Sequence, residues 1–142
     1  MLSNGMESLT LKFNGNPTPL ERPRFGGRGK IYTPQKSQST KRRMAIEALH
    51  FMKGRKLLSC PVEIEIHFKM KMPKSPKPHQ REGAPHYYRP DLSNLIKLVE
   101  DALNEVVWTD DAVISKIIAV KSYSEHPCTV VKVKEIHANE QA

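Results

Sequence analysis

Residues 91–104 read Asp-Leu-Ser-Asn-Leu-Ile-Lys-Leu-Val-Glu-Asp-Ala-Leu-Asn, and their apolar side chains recur every three or four positions. That period is the period of an α-helix with one buried face. The predicted buried stripe consists of Leu95, Val99, Ala102, Leu103 and Val106. The opposite side carries Asn94, Lys97, Asp101 and Asn104. One face of this helix therefore packs, while the other presents amide, ammonium and carboxylate groups together.

Further patterns surround this helix in the sequence. Residues 62–70 alternate apolar and polar side chains without exception, and residues 9–13 do so over a shorter length, which predicts two half-buried strands. Residues 36–52 have the spacing of another helix. Residues 113–120 and 129–136 are rich in β-branched side chains, and the short turn between them predicts a final antiparallel pair of strands.

The order of these elements predicts one α/β (α+β) domain over residues 1–142, with a mixed β-sheet and two main helices. The predicted order is β-(β)-α-β-α-β-β, in which the bracketed strand is a short one at residues 30–33. Residues 72–90 contain five prolines, so we expect an extended loop that stays mobile until it binds something. Both termini are expected to be frayed.

The composition is typical of a folded chain with a large polar surface. The 142 residues are 38% hydrophobic and 27% charged, which is on the polar side for a globular protein. The first residues lack the pattern of a secretory signal, and no apolar run approaches the roughly 18 residues of a membrane span. We therefore expect a cytoplasmic chain with no membrane partner. Cys60 and Cys128 form no C-x-x-C motif, which predicts two reduced thiols.

Charge is distributed unevenly along the chain. The formal net charge is +8, yet residues 90–111 hold six acidic side chains against Lys97 alone, a local net charge of −5. A basic surface attracts polyanions, and carboxylates that face a polyanion repel it unless a cation stands between them. Mg²⁺ or Mn²⁺ takes carboxylate oxygens and substrate phosphate in one coordination shell. The acidic segment therefore predicts a site for Mg²⁺ or Mn²⁺ in a protein that binds nucleic acid.

Positive charge is concentrated in two segments that precede the acidic one. Residues 21–43 have a net charge of +7 and residues 69–89 have a net charge of +5. Both segments are interleaved with proline, glycine and aromatic residues, as expected of loops that follow a phosphate backbone. The residues that we expect to contact DNA are Arg22, Arg24, Arg28, Lys30, Arg42, Arg43, Lys74, Lys77, Arg81 and Arg89.

The acidic segment contains a set of residues suited to phosphodiester hydrolysis. Asp91 precedes the helix, Lys97 lies about two turns into it, and Asp110 and Asp111 occupy the turn that follows. In this chemistry carboxylates hold one or two metal ions and a lysine stabilises the developing charge. Each residue alone also has a simpler explanation. Asp91 is a suitable N-cap, the Asp pair suits a turn, and Lys97 suits a solvated surface.

Other candidate chemistries have weaker support. His79 and His86 lie in the proline-rich loop without a third metal ligand at a usual spacing, so we expect them to add positive charge near DNA. The glycine-rich residues 26–29 lack the Gly-Lys-Ser/Thr ending of a phosphate-binding loop. The serines have no His and Asp arrangement that would indicate a nucleophile.

Three stretches together form a recognisable combination: Arg89-Pro-Asp-Leu-Ser-Asn-Leu-Ile-Lys97, Asp101-Ala-Leu-Asn104 and Trp108-Thr-Asp-Asp-Ala-Val113. This combination resembles the RusA family of Holliday-junction resolvases, and residues 22–25 and 31–34 extend the resemblance over nearly the whole chain. The resemblance implies an α/β homodimer that binds four-way or other branched DNA. It also implies symmetric nicking of two strands with Mg²⁺ or Mn²⁺ and no small-molecule cofactor, in DNA recombination and repair.

The resemblance also assigns roles to individual residues. Asp91 and Asp111 match metal-binding carboxylates of the family, and Lys97 matches its catalytic lysine. The positions that border the site are matched by Asp110, Asn94 and Asp101, of which Asp110 is a further candidate metal ligand.

At one position the chain departs from the family pattern. Ser93 stands where the family usually has a second Asp, two residues after Asp91. A serine hydroxyl can ligate Mg²⁺, so Ser93 belongs to the predicted metal site, but it brings no negative charge and should hold metal more weakly. The sequence leaves two alternatives open: a non-catalytic protein that binds branched DNA on the same fold, and a basic RNA-binding module whose acidic segment is an ordinary helix face.

Overall fold

The computed structural model describes residues 8–21, 24–25, 27, 31–32 and 35–137. Its strands are β1 (Ser8–Asn14), β2 (Arg24–Phe25), β3 (Ile31–Tyr32), β4 (Val62–Lys71), β5 (Ile114–Ser124) and β6 (Cys128–Glu135). Its helices are α1 (Gln35–Phe51) and α2 (Leu92–Leu103). The α+β class is confirmed, and the predicted order of elements holds with β3 as the short bracketed strand, while the two-residue strand β2 was not predicted. The termini that were expected to be frayed lie outside the described residues.

The main sheet has four strands in the order β1-β6-β4-β5, and β2 and β3 form a separate two-stranded ribbon. Strand β6 is antiparallel to both of its neighbours, whereas β4 and β5 run parallel. Strand β4, helix α2 and strand β5 therefore form a β-α-β unit, in which the helix carries the chain back so that the second strand can run in the same direction. This unit positions the candidate site, because the acidic residues flank α2.

The predicted antiparallel pairing of the last two strands is wrong. Strand β5 pairs with β4, and β6 lies on the other side of β4, so the turn at residues 125–127 crosses the end of that strand. Beside the C-terminal half of β5 lie residues 83–86 instead, which bridge to it in antiparallel fashion. A short turn limits the distance between two strand ends, but it does not decide which strands pair.

Both helices pack against one face of the sheet, where the hydrophobic core lies. The side chains that α2 buries there are Leu95, Leu98, Val99, Ala102 and Leu103. These include four of the five residues predicted from the helical period, while Val106 is only half-buried. Strand β4 buries alternate side chains on the same face, as its sequence predicted. On the other face of the sheet, Ile118 and Val120 of β5 stay 42% and 50% exposed.

Within the proline-rich loop at residues 72–90, residues 83–86 lie against the edge of the sheet, while the mobility expected of the loop stays a prediction. The N–H groups of Gly83 and His86 donate to the carbonyls of Tyr123 and Lys121 at 2.8 and 3.0 Å. The N–H of Tyr123 donates in turn to the carbonyl of Ala84 at 2.9 Å. These bonds add residues 83–86 to the edge of β5.

Two further expectations concern the membrane and the cysteines. Along the described ranges, no helix combines the length and the apolar character needed to cross a membrane. Cys60 and Cys128 are both free thiols, as predicted. Burial, with the carboxylate of Glu135 nearby, raises the pKa of the Cys60 thiol, which favours its protonated and unreactive form.

Candidate active site at the two ends of helix α2

Asp91 occupies the N-cap position of α2 but does not use its side chain as a cap. Its backbone is extended (φ −67°, ψ 139°), and its carboxylate forms no capping hydrogen bond. The side chain is 56% exposed and lies 3.7 Å from a guanidinium nitrogen of Arg89, a contact worth under about 1 kcal/mol at such exposure. The carboxylate of Asp91 is therefore accessible to a ligand, at the helix end whose dipole favours negative charge. The N-cap explanation does not account for this residue.

Lys121 supports the chain just before Asp91, a role that the sequence analysis missed. It pairs in register with Phe68, so its side chain lies on the helix-bearing face of the sheet. Its ammonium group donates to the carbonyls of Tyr88 at 2.6 Å and Pro90 at 2.7 Å. Burial lowers the pKa of Lys121, while the charge of Asp91 acts in the opposite direction. The signal in the sequence was a lysine at an otherwise apolar, inward-facing position of a strand.

Trp108 positions Asp111 at the other end of α2. The indole is fully buried, and its N–H donates to Oδ1 of Asp111 at 2.8 Å. Asp111 is itself half-buried, so this bond is made where water competes weakly. Asp110 is used differently, because its Oδ2 accepts a hydrogen bond at 2.9 Å from the N–H of Ala112 and caps a single 3-10 turn. The turn explanation therefore accounts for Asp110, while Asp111 is held by the core.

Glu100 is a second residue that the site prediction missed. It is half-buried, and burial followed by the charges of Asp111 and Asp101 raises the pKa of its carboxyl, while Lys97 lowers it. These influences mean that the four charged groups lie close enough to interact. A glutamate three residues after the predicted catalytic lysine, on the same side of the helix, was the signal available in the sequence.

The structure thus distributes the predicted site between the two ends of α2. Asp91 lies near Arg89 and Lys121 at the start of the helix. Asp111 follows the helix in sequence and lies near Glu100, which belongs to the second half of the helix. The remaining predicted residues are Ser93 and Asn94 in the first turn, Lys97 in the middle and Asp101 near the end. Ser93, Lys97 and Asp101 are exposed, and Asn94 is half-buried. At 1.5 Å per residue, Ser93 and Glu100 are separated by about 10 Å along the helix axis.

The donor groups suit a cation that is shared with a substrate. Among the described residues, no three His, Cys, Asp or Glu side chains are grouped so that they could hold a metal ion. Mg²⁺ does not need such a group, since it commonly takes one or two carboxylates and completes its octahedral shell with waters and substrate phosphates. The carboxylate of Asp91 with the hydroxyl of Ser93 at the start of α2, and the carboxylate of Asp111 beyond its end, each fit that kind of site. A single shell that joins these residues with Asp110 stays a prediction.

The basic residues expected to contact DNA are exposed wherever their side chains are described. These residues are Arg42, Arg43, Lys74, Lys77, Arg81 and Arg89. Arg43 is also engaged within the protein, because it donates to the carbonyl of Asn14 at 3.0 Å and lies 3.6 Å from Glu47. Arg22, Arg28 and Lys30 lie outside the described residues, as does the side chain of Arg24.

The expectation that the loop histidines carry positive charge fails for His86. Its ring packs against Tyr123 with a centroid distance of 4.7 Å. Burial, and secondarily the charge of Lys121, lowers the pKa of His86, so its neutral form is favoured at neutral pH. His79 contacts the hydroxyl of Tyr88 at 3.5 Å. The two histidines are therefore parts of an aromatic cluster.

Comparisons with known proteins identify the family of the chain. A family model described as Endodeoxyribonuclease RusA matches residues 14–134, which include both ends of α2 and the basic segments. Uncharacterized protein YqaN of Bacillus subtilis (strain 168) is 29% identical to this chain over 143 residues, which cover 94% of this chain and 100% of that protein. Because the family model spans most of the chain, this protein belongs to the RusA family of endodeoxyribonucleases.

Proposed function

We propose that this protein is a metal-dependent endodeoxyribonuclease that resolves four-way or other branched DNA by paired nicks, in DNA recombination and repair. The observation that carries the proposal is the carboxylate of Asp91. It stands exposed at the start of α2, forms no cap, and belongs to the motif by which the chain resembles the family. The net charge of +8 supports a polyanionic substrate.

The cofactor that we propose is Mg²⁺ or Mn²⁺, with Asp91 and Ser93 as donors at the start of α2 and Asp111 and Asp110 as donors beyond its end. A divalent cation bound there would lower the pKa of a bound water and offset the negative charge of the phosphate. Lys97 extends from the exposed face of α2, where its ammonium would stabilise charge that develops on the phosphate oxygens. Asn94 and Asp101 would border the bound strand.

Paired nicks on a four-way junction need two active sites, and we propose that a homodimer supplies them. A two-fold axis in the protein would match the symmetry of the junction. The exposed apolar side chains on β5 support a contact with a second copy, since Ile118 and Val120 stay 42% and 50% exposed on the uncharged stretch of an outer strand.

The experiment that tests the proposed function compares a synthetic four-way junction with a matched linear duplex, in Mg²⁺, in Mn²⁺ and in a chelator. We expect the wild type to nick the junction only when metal is present. Asp91→Asn and Asp111→Asn should each abolish nicking while junction binding persists or tightens, because a carboxylate that repels phosphate has been removed. Lys97→Ala should slow nicking strongly without changing the metal requirement.

Glu47→Gln is the matched control, since it neutralises an exposed carboxylate on α1 that pairs only with Arg43 among its described contacts. This variant should nick like the wild type. If Asp91→Asn and Asp111→Asn lose binding together with folding, as judged by circular dichroism, their roles are structural. If both retain nicking, the proposed metal site is wrong.

A non-catalytic protein that binds branched DNA is the second candidate. It is favoured by the serine at position 93, which brings no negative charge where the family pattern has an Asp. Tight junction binding without nicking in any metal would select this function. Stronger binding to structured RNA than to a DNA junction would select an RNA-binding module instead.

A further inference from the structure

The segment that leads into Asp91, residues 72–90, carries the most exposed large aromatic side chains among the described residues. Tyr87 is 65% exposed and Tyr88 is 50% exposed. Their rings stack on each other with a centroid distance of 4.8 Å and an interplanar angle of 22°. Two adjacent tyrosine rings of this exposure leave a flat aromatic surface in contact with water, which a ligand with a flat ring could cover.

A series of ring contacts connects this pair to the hydrophobic core. Tyr123 is buried, with 3% of its surface exposed, and the ring of His86 lies 4.7 Å from it. The ring of Tyr88 meets His86 edge-on at 6.3 Å, and Tyr87 stacks on Tyr88. His79 flanks both tyrosines at 5.9 and 6.4 Å. The exposed rings of Tyr87 and Tyr88 therefore contact rings that are packed on the core, and these contacts restrict the orientation of their faces.

The same segment is tied to the candidate active site. The carbonyl of Tyr88 accepts a hydrogen bond at 2.6 Å from Lys121, which also binds the carbonyl of Pro90, the residue before Asp91. The exposed cations Lys77, Arg81 and Arg89 lie in the same segment. An apolar protein partner would not suit this basic surrounding, whereas a polyanion with flat π faces would.

We propose that the stacked pair Tyr87–Tyr88 is a platform that binds an unpaired nucleobase of the DNA strand entering the site. The proposal rests on the proposed function for the identity of the nucleic acid. Bases in a linear duplex are stacked within the helix and cannot reach the platform, whereas bases at a branch point can unstack at low cost. The platform would therefore favour branched DNA over duplex DNA, while the cations beside it contact phosphates of any sequence.

The test measures binding without cleavage, in a chelator, by fluorescence anisotropy. The probes are a four-way junction with two unpaired thymines at the branch point and the same junction with abasic residues at those two positions. We expect the abasic residues to weaken wild-type binding roughly 5- to 150-fold, the range for the loss of one stacked base. Tyr87→Ala and Tyr88→Ala should weaken binding to the thymine probe by a similar factor and should bind both probes equally.

Two variants separate stacking from other effects. Tyr87→Phe and Tyr88→Phe keep the ring and should retain the preference for the thymine probe. Leu49→Ala removes a side chain of similar exposure, 58%, from α1 and should change neither affinity. The slope of log affinity against log salt should stay the same in Tyr87→Ala, because no charge is removed.

Each outcome bears on the proposal separately from the nuclease function. If the alanine variants lose equal affinity for both probes, or lose none, the platform is overturned even when the wild type nicks the junction. If the wild type shows the base dependence but nicks no DNA in any metal, the platform is supported and the nuclease function is overturned. A wild type that binds neither probe overturns both.

Discussion

The two ends of α2 hold their carboxylates in different ways. Asp111 receives a hydrogen bond directly from Trp108, an uncharged side chain that is fully buried. Asp91 receives no such bond, and Lys121 instead binds the carbonyls of the residues before it. The orientation of Asp111 therefore depends on core packing, whereas that of Asp91 depends on an ionisable group acting through the main chain. Perturbing the Asp111 end should affect stability most. Perturbing the Asp91 end should affect activity and the pH dependence of stability.

Trp108→Phe should have the largest effect on folding. The change removes part of a fully buried ring and the donor of a 2.8 Å hydrogen bond, which leaves a cavity and an unpaired carboxylate oxygen. We expect a loss of about 2 kcal/mol in the free energy of unfolding, or roughly 5–10 °C in the melting temperature. Urea unfolding and calorimetry of the metal-free protein measure both.

Asp111→Asn is the control for this variant, because an amide oxygen can still accept the indole N–H, so its stability should fall less. An unchanged melting temperature in Trp108→Phe would show that Asp111 is not held by the core. The comparison between the two ends of the helix would then fail at this end.

Lys121→Met should have a smaller effect on stability and a clear effect on nicking. The carbonyls of Tyr88 and Pro90 lose their donor, which costs about 1–2 kcal/mol. Because these carbonyls flank Arg89 and precede Asp91, we expect nicking to slow by a larger factor than junction binding weakens. Lys116→Met on the same strand is the matched control. The ammonium of Lys116 is 59% exposed and, among the described residues, forms an ion pair with Glu63 at 3.6 Å, so this variant should resemble the wild type.

The pH dependence of stability gives a second readout for Lys121. Burial lowers its pKa below the ordinary value of 10.5, so the unfolded chain binds this proton more tightly than the folded chain. The stability contribution of Lys121 therefore rises as the pH is raised through the folded pKa towards 10.5. Lys121→Met should remove this rise. Identical slopes in the wild type and the variant would mean that Lys121 does not distinguish the two ends.

The sequence predicted the elements of the fold better than their pairing. The alternation at residues 62–70 corresponds to β4 at Val62–Lys71, because each side chain of a half-buried strand reports its own environment. The prediction that β5 pairs with β6 failed, because β4, which lies far away in sequence, competes for both strands and pairs with each of them. Local periodicity carries no information about such a competitor.

The candidate site was likewise predicted only in part from the sequence. Carboxylates and a lysine were predicted because metal-dependent hydrolysis needs those groups, and the chain has them next to α2. The residues that orient them, Trp108 and Lys121, were missed. The contact between Lys121 and Pro90 joins residues 31 positions apart, so only the folded sheet brings them together.

Ser93→Asp should have the smallest effect on stability and tests the Asp91 end alone. Ser93 is exposed in the first turn of α2, so a carboxylate there meets the favourable end of the helix dipole and should change stability by less than about 1 kcal/mol. It also adds a second carboxylate beside Asp91, which should strengthen metal binding at the end that lacks a core-held ligand. We expect the Mg²⁺ concentration for half-maximal nicking of a junction to fall roughly 3- to 10-fold, corresponding to about 1 kcal/mol. Binding of the metal-free variant to DNA should be unchanged or weaker, because the added charge repels phosphate.

Ser93→Asn is the control, since it adds a similar volume without charge and should leave the Mg²⁺ requirement near that of the wild type. If the wild type already nicks at low Mg²⁺ and Ser93→Asp loses activity, the hydroxyl is an adapted ligand, and the Asp91 end is as specifically built as the Asp111 end.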